Sequence, residues 1–292
     1  MLTDAPGSFF LRMLELEQVD TDIFQAPSPA VSWRRVYGGQ IIIQAMMAAG
    51  RTVERRRLHS LHGYFLGTAH PDLPYTHRVE RLHDGRSFAM RQVSVVQNDR
   101  PVFSMQASFH IGESGFDHGP PMPVTPGPSE AMSEEEWLAH SAARAPESLH
   151  RFWTRERPFE LRPVDWQAFV TCRAPEPMRR VWVRARIALP DAPAVHQAML
   201  AYISDYDLLD AALLPYGRTS GEPAMQGASI DHAMWFHRSF RTDRWVLFHQ
   251  EGITAAHSRG FVRASFFDEE GRLIATATQE GLARLRQSQS TQ

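Results

Sequence analysis

Arg259–Arg286 reads RGFVRASFFDEEGRLIATATQEGLARLR, and an earlier stretch, Arg86–His110, reads RSFAMRQVSVVQNDRPVFSMQASFH. Each sets two runs rich in β-branched and aromatic residues on either side of a short polar turn, the pattern of an antiparallel hairpin. The likeness reaches further. HGYFLG (His62–Gly67) lies 171 residues before AMWFHR (Ala233–Arg238), with Tyr64-Phe65 matching Trp235-Phe236. QNDRPVF (Gln97–Phe103) lies the same 171 residues before DEEGRLI (Asp268–Ile274). The Arg-small-Phe triplets between them are offset by 173, so one loop differs by two residues.

An apolar helix precedes the strands in both copies. GGQIIIQAMMAAGRTV, from Gly38, has the length and apolar density of a buried helix. VHQAMLAYISDYDLLDAALL, from Val195, follows PDAP, a helix-start signal with Asp191 as the cap candidate. A hydrophobic helix leading into an antiparallel sheet buries one face against it, so each copy reads as an α+β unit with the sheet wrapped around its helix. The expected division is an N-terminal unit over 1–111, a linker over 112–157 and a C-terminal unit over 158–292. Within the linker, GESGFDHGPPMPVTPGPSE (Gly112–Glu130) holds five prolines, which forbids a continuous helix or a central strand. A short acidic helix should follow, since Ser133 and Glu136 form a capping box.

Composition excludes several chemistries. All 31 basic residues among the 292 are arginine, so no Schiff-base, P-loop or general-base lysine exists. A net charge of −2 without long like-sign runs gives no nucleic-acid track and no attraction to an anionic membrane surface. The single cysteine, Cys172, fits a reducing compartment, and the cytoplasm is the expected location. The N-terminal residues lack the pattern of a signal peptide, no run approaches the ~18 apolar residues of a membrane helix, and the last residues lack a Ser-Lys-Leu ending. HExxH, GxSxG, GxGxxG and CxxC are all absent, which leaves a zinc hydrolase, an α/β-hydrolase and a dinucleotide fold without support.

Three polar groups stand in apolar surroundings. On the last strand, Leu273, Ala275, Ala277, Gln279, Gly281, Ala283 and Leu285 share one face, and Gln279 is its one polar member. An unbonded buried amide costs about 1–3 kcal/mol, so Gln279 must find partners; a structural tie from strand to helix accounts for it as well as a functional role does. On the second helix, Asp205 falls on the apolar stripe with Ala198, Ala201, Tyr202, Leu208 and Leu209, although Asp207 and Asp210 compete with it. In GASIDHAMWFHRSF, Ser229, Asp231 and His237 alternate with Ile230, His232 and Met234, and spacing does not choose which set points inward. His232 and His237 face opposite sides of a strand, as do His59 and His62, which argues against a shared metal.

VYGGQIIIQAM, LHSLHGYFLG, DGRSFAMRQVSVVQNDRPVFSMQASF, RPVDW, YISD, SIDHAMWFHRSF and SRGFVRASFFDEEGRLIATATQEGLAR, in this order, resemble acyl-CoA thioesterase II from about Leu11 to Arg286. The resemblance implies an α+β double hotdog: two long helices, each enclosed by a curved antiparallel β-sheet. It implies hydrolysis of fatty acyl-CoA to free acid and coenzyme A by a bound water, with Asp205, Ser229 and Gln279 as the catalytic residues and no cofactor or metal. Serine at 229 replaces the threonine of many relatives, keeping the hydroxyl and losing the methyl that fixes its rotamer. Acyl-CoA is the expected partner, in a homo-oligomer, dimer or tetramer. Backbone N–H groups near Gly38-Gly39 are the expected oxyanion donors. His59 has an auxiliary role or is a satisfied core histidine. The Arg55–Arg57 run would meet phosphates or be simply solvated, and a groove of Met, Phe and Trp would take the acyl chain. An acyl-CoA-binding double-hotdog module with little hydrolysis is the alternative. A double-hotdog hydratase would need an Asp–His motif that does not occur.

Overall fold

The apolar density of GGQIIIQAMMAAG and PAVHQAMLAYIS does form two helices, and their burial sets the architecture. Ten of the thirteen residues in the first are buried, Gln40 and Gln44 among them. The polar side chains on this buried helix find partners: Gln44 donates to the Met13 carbonyl at 3.2 Å, and Gln40 reaches the Tyr75 hydroxyl at 3.5 Å. Ile42 and Ile43 have no accessible surface, and each contributes roughly 1.5–3 kcal/mol of burial free energy.

The computed structural model describes residues 8–26, 36–145 and 147–286. Helix α1 (Ser8–Met13) and strands β1 (Glu17–Asp20) and β2 (Ile23–Ala26) precede helix α2 (Gly38–Gly50). Strands β3 (Arg57–Phe65), β4 (Tyr75–Asp84), β5 (Phe88–Gln97) and β6 (Arg100–His110) follow. The connecting region holds α3 (Glu134–Arg144) and α4 (Glu147–Trp153). Next come β7 (Phe159–Pro163), α5 (Trp166–Thr171), β8 (Met178–Ala185) and α6 (Pro193–Ser204). After two 3-10 turns, Leu208–Ala212 and Leu214–Tyr216, the chain ends in β9 (Met225–Ser229), β10 (Asp231–Phe236), β11 (Val246–Ala256), β12 (Arg259–Asp268) and β13 (Leu273–Leu285).

Among the described residues, thirteen strands join one antiparallel sheet in the order β1-β2-β4-β5-β6-β3-β10-β13-β12-β11-β8-β7, with β9 paired to β13. This is the double hotdog: the sheet wraps α2 on one side and α6 on the other, and the two helices pack together. The strands with matching sequence, β3 and β10, form the seam. They pair antiparallel, Leu61 with Met234 and Tyr64 with Asp231, as an approximate two-fold relation between copies requires. The hairpin turns of the two copies differ in length. Asn98 and Asp99, both left-handed (φ 50° and 58°), close β5–β6. The β12–β13 turn takes the four residues Glu269–Arg272, with Gly271 at φ 79°. That pair of left-handed residues is the signature of a tight two-residue hairpin.

The capping box forms as expected. The Glu136 N–H donates to the Ser133 hydroxyl and the Ser133 N–H to the Glu136 carboxylate. Two expectations for the second helix fail. Asp191 does not cap it: Ala192 occupies the N-cap without a side-chain bond and Pro193 opens the first turn, while Asp191 accepts from Arg241. Nor does the helix run through DYDLLDAALL. It ends at Ser204, and Asp207 turns left-handed (φ 52°) before the first 3-10 turn. That turn sits close on the sheet because the strands beneath it carry glycine. A Cβ at Gly281 would lie 2.6 Å from Leu209 Cδ2, and one at Gly252 would lie 2.5 Å from Ala212 Cα.

Candidate active site

Ending α6 at Ser204 makes Asp205 its C-cap (φ −87°, ψ −3°), so its carboxylate projects past the helix end. Gln279 stands on the inward face of β13, 1% exposed between buried Ala277 and Gly281. The expected alternation of that face holds through Gly281 and lapses at Leu285, which is exposed. Ser229 ends β9, opposite Gly281.

These three side chains meet. The Gln279 amide donates to Asp205 Oδ1 at 2.6 Å and to Ser229 Oγ at 2.9 Å, and the Ser229 hydroxyl donates to Asp205 Oδ1 at 3.3 Å. A third donor to the carboxylate comes from the other half of the chain, where the Gly39 N–H at the start of α2 bonds it. The expected oxyanion donor is thus already engaged with the acid. The approach needs glycine: a Cβ on Gly38 would lie 2.6 Å from Asp205 Oδ2 and 2.9 Å from the Phe65 ring. The Tyr37 hydroxyl fastens the junction by donating to the Tyr202 carbonyl at 2.7 Å.

Burial raises the Asp205 pKa to about 6, and the hydrogen bonds from Gln279, Gly39 and Ser229 oppose the rise. Some of the residue stays accessible although its carboxyl is enclosed. The enclosure decides the shift, because the desolvated oxygens carry the charge. The two helix ends pull in opposite directions: the α2 N-terminus favours the anion and the α6 C-terminus disfavours it. The group is therefore a carboxylate at neutral pH that accepts a proton more readily than an ordinary aspartate.

The competing acids point elsewhere. Asp207 accepts from the Trp153 indole at 3.3 Å, and Asp210 accepts from the Ser220 N–H at 2.7 Å. Neither of the two alternating sets points inward as a whole: His232 and Met234 of β10 are fully buried, while Ser229, on β9 before the break at Ile230, also meets the cluster. Asp231 accepts from the Glu280 N–H at 2.7 Å and ties β10 to β13. Ser204 spends its proton on the Ala201 carbonyl, so the His232 Nε2–H donates to Ser204 Oγ at 2.9 Å. Burial lowers the His232 pKa to about 4, so it braces the last turn of α6 as a neutral ring. Sequence reasoning missed Tyr37 and left His232 open; the aromatic directly before Gly-Gly was the available signal for the first.

His59 and the arginine run stand apart from this cluster. His59 Nε2 bonds the Ser108 hydroxyl at 2.8 Å, and Arg57 begins β3 while Phe65, which touches the site, ends it. Eight steps of strand separate them by about 26 Å. Two large clefts, of about 580 and 910 Å³, are lined by neither Asp205, Ser229 nor Gln279. Neither is the Met, Phe and Trp groove expected for an acyl chain at the cluster. No group of three His, Cys, Asp or Glu among the described residues is arranged to hold a metal ion.

Comparison with known proteins meets this geometry. Residues 149–282 match the family model described as acyl-CoA thioesterase, and residues 26–110 match the acyl-CoA thioesterase N-terminal domain. Acyl-CoA thioesterase 2 of Haemophilus influenzae is 34% identical over 94% of this chain and 96% of its own. Human acyl-coenzyme A thioesterase 8 is 37% identical over 97% of this chain and 92% of its own. The crystal structure of an acyl-CoA thioesterase II from Mycobacterium marinum superposes with a TM-score of 0.78 at 34% identity, covering 95% of this chain and 98% of that one. The chain belongs to the acyl-CoA thioesterase family.

Proposed function

We propose that this protein hydrolyses fatty acyl-CoA thioesters to the free acid and coenzyme A, with Asp205, Ser229 and Gln279 holding and activating the attacking water. The observation that carries the reading is the convergence of a carboxylate, a hydroxyl and a carboxamide on one point at the junction of α2 and α6. The water's oxygen attacks the thioester carbonyl carbon as its proton passes to Asp205. The tetrahedral intermediate collapses with cleavage of the C–S bond, and the departing thiolate takes up a proton to give coenzyme A. Ser229 and Gln279 fix the water's orientation. Positioning of this kind removes entropic cost, to an upper limit of ~7–11 kcal/mol.

No histidine bonds Ser229 among the described residues, so the serine lacks the base that a nucleophilic mechanism requires. Cys172 is no nucleophile either: burial pushes its thiol pKa up to about 12. The N–H of Gly38, beside the carboxylate, is the donor we assign to the developing oxyanion.

The same proposal divides the chain into a unit over 1–111, a linker over 112–157 and a catalytic unit over 158–292, in a homo-oligomer in the cytoplasm. The two separate family matches, over 26–110 and 149–282, support a two-unit division. Exposed Tyr64, Phe88 and Met90 on the sheet support self-association. No helix is long and apolar enough to cross a membrane. Release of free thiol from acyl-CoAs of several chain lengths is the test. No release above background from any length would sink the hydrolase and leave an acyl-CoA-binding module.

A further inference from the structure

The cleft of about 910 Å³ lies at the far end of β9 and β13 from the catalytic cluster, and its lining has an unusual charge. Arg218, Arg259, Arg284 and Arg286 line it with His257, and no aspartate or glutamate does. Glu222 pairs with Arg218 and Glu280 with Arg259 from outside the lining. Arg286 donates Nε to the Met225 carbonyl, and Arg284 has no hydrogen bond or ion pair among the described residues. Two guanidiniums therefore stand without a carboxylate in a chain whose net charge is −2. Tyr216, 62% exposed, adds an aromatic face beside them.

The other large cleft makes the contrast. Its lining holds Glu113, Asp191, Asp268, Glu269 and Glu270 beside Arg57, Arg238, Arg241, Arg244 and Arg272, and three of these arginines pair with carboxylates: Arg238 with Asp117, Arg241 with Asp191 and Asp243, Arg272 with Asp268 and Glu270. Opposite charges there cancel locally, whereas the arginine cleft has spare positive charge.

We infer that the arginine cleft docks the phosphorylated nucleotide end of the acyl-CoA substrate, phosphates on Arg284 and Arg286 and adenine against Tyr216. The inference rests on the hydrolase reading above. Spacing supports it. Ser229 pairs with Gly281 and Gln226 with Arg284, so the backbones of Arg284 and Arg286 lie ~10 and ~17 Å along the ladder from the Ser229 register. The pantetheine arm between thioester and pyrophosphate advances per bond about as far as extended polypeptide does, and spans ~15 Å. One end of the substrate can thus sit at Asp205 while the other reaches the guanidiniums, which bind phosphate through charge-assisted, paired hydrogen bonds. Tyr216 supplies the stacking face that a base prefers.

The test compares one acyl group carried on coenzyme A and on pantetheine, which lacks the nucleotide. Arg284→Glu should raise KM for the acyl-CoA by roughly tenfold, leaving kcat and both constants for the acyl-pantetheine unchanged. Arg284→Lys, which keeps the charge without the paired donors, should fall between. Adenosine 3′,5′-bisphosphate should compete with acyl-CoA in the wild type and compete less well in Arg284→Glu. Arg244→Glu, in the other cleft, should leave both substrates unaffected. Equal effects of Arg284→Glu on the two substrates, no effect on either, or the same effect from Arg244→Glu would each overturn the assignment. A wild type that releases thiol from neither substrate would refute the hydrolase reading itself.

Discussion

Replacing Asp205 by asparagine should make the protein more stable and nearly inactive at once. The carboxyl titrates near pH 6 in the fold against an ordinary value of 3.8, because burial outweighs its hydrogen bonds. A difference of about two units at 1.36 kcal/mol each means that ionised Asp205 weakens the folded state by ~3 kcal/mol at pH 7. Part of the residue meets solvent, so screening reduces this to ~1–3 kcal/mol. Asparagine keeps the shape and an oxygen for Gln279 and Ser229 while removing the buried charge. Several degrees of added thermal stability follow at pH 7, at roughly 2–4 °C per kcal/mol for a chain near this size. The gain has a defined pH window. Below pH 4 the wild-type carboxyl is protonated in folded and unfolded chains alike and retains its full stability, so the two proteins match. As pH rises from about 4 to about 6 the folded chain alone holds the proton, the wild type loses stability, and the gap opens, then stays constant. Unfolding by urea at pH 4, 5, 7 and 8, with thiol release measured on the same preparations, checks both halves. Loss of the general base should lower kcat ~10²–10⁴-fold. A variant less stable than wild type at pH 7, a gap equally wide at pH 4, or retained turnover would refute the reasoning.

Gln279→Ala removes the donor with the largest lowering effect on Asp205, so the acid limb of kcat/KM should move upward from about pH 6 as most turnover is lost; a pH–rate profile with an unmoved limb would show that the amide does not act on the acid. Gly38→Ala drives a methyl to 2.6 Å from Asp205 Oδ2, and should cut thiol release at least tenfold while the far-UV circular dichroism stays that of the wild type. Ser133→Ala breaks the capping box of α3, which should cost about 1 kcal/mol in urea unfolding and leave kcat unchanged, since no residue of α3 bonds Asp205, Ser229 or Gln279.

Much of this fold was legible because duplication writes the pattern twice. The paired strands at Arg86–His110 and Arg259–Arg286, and the seam strands 171 residues apart, are carried by residue types whose period-two burial is a local property. Gln279 was legible for the same reason, as one amide on an otherwise apolar face. The end of α6 was not. DYDLLDAALL continues the helical spacing of its apolar residues, and what stops the helix is tertiary: a left-handed Asp207 and a 3-10 turn admitted by glycines on distant strands. Asp191 failed as a cap for a comparable reason, because Arg241, 50 positions away, claims its carboxylate.

The duplication also accounts for why only one copy carries the glutamine. Arg51 occupies the C-cap of α2, the place that Asp205 holds on α6, and it donates to the Leu16 carbonyl. On the seam, Leu61 of β3 pairs with Ala107, whereas the matching His232 of β10 falls opposite Gln279 when the register of Ala233 with Thr278 is continued by one step. Cation for acid and methyl for amide: the first copy lacks the counterparts of Asp205 and Gln279. It has kept the backbone, and its Gly39 N–H reaches across to bond Asp205 in the second. A single site thus needs both copies, one for side chains and one for a helix start. A C-terminal fragment alone would hold Asp205, Ser229 and Gln279 yet lack the donor at α2 and the Gly38 and Phe65 cover over the carboxylate.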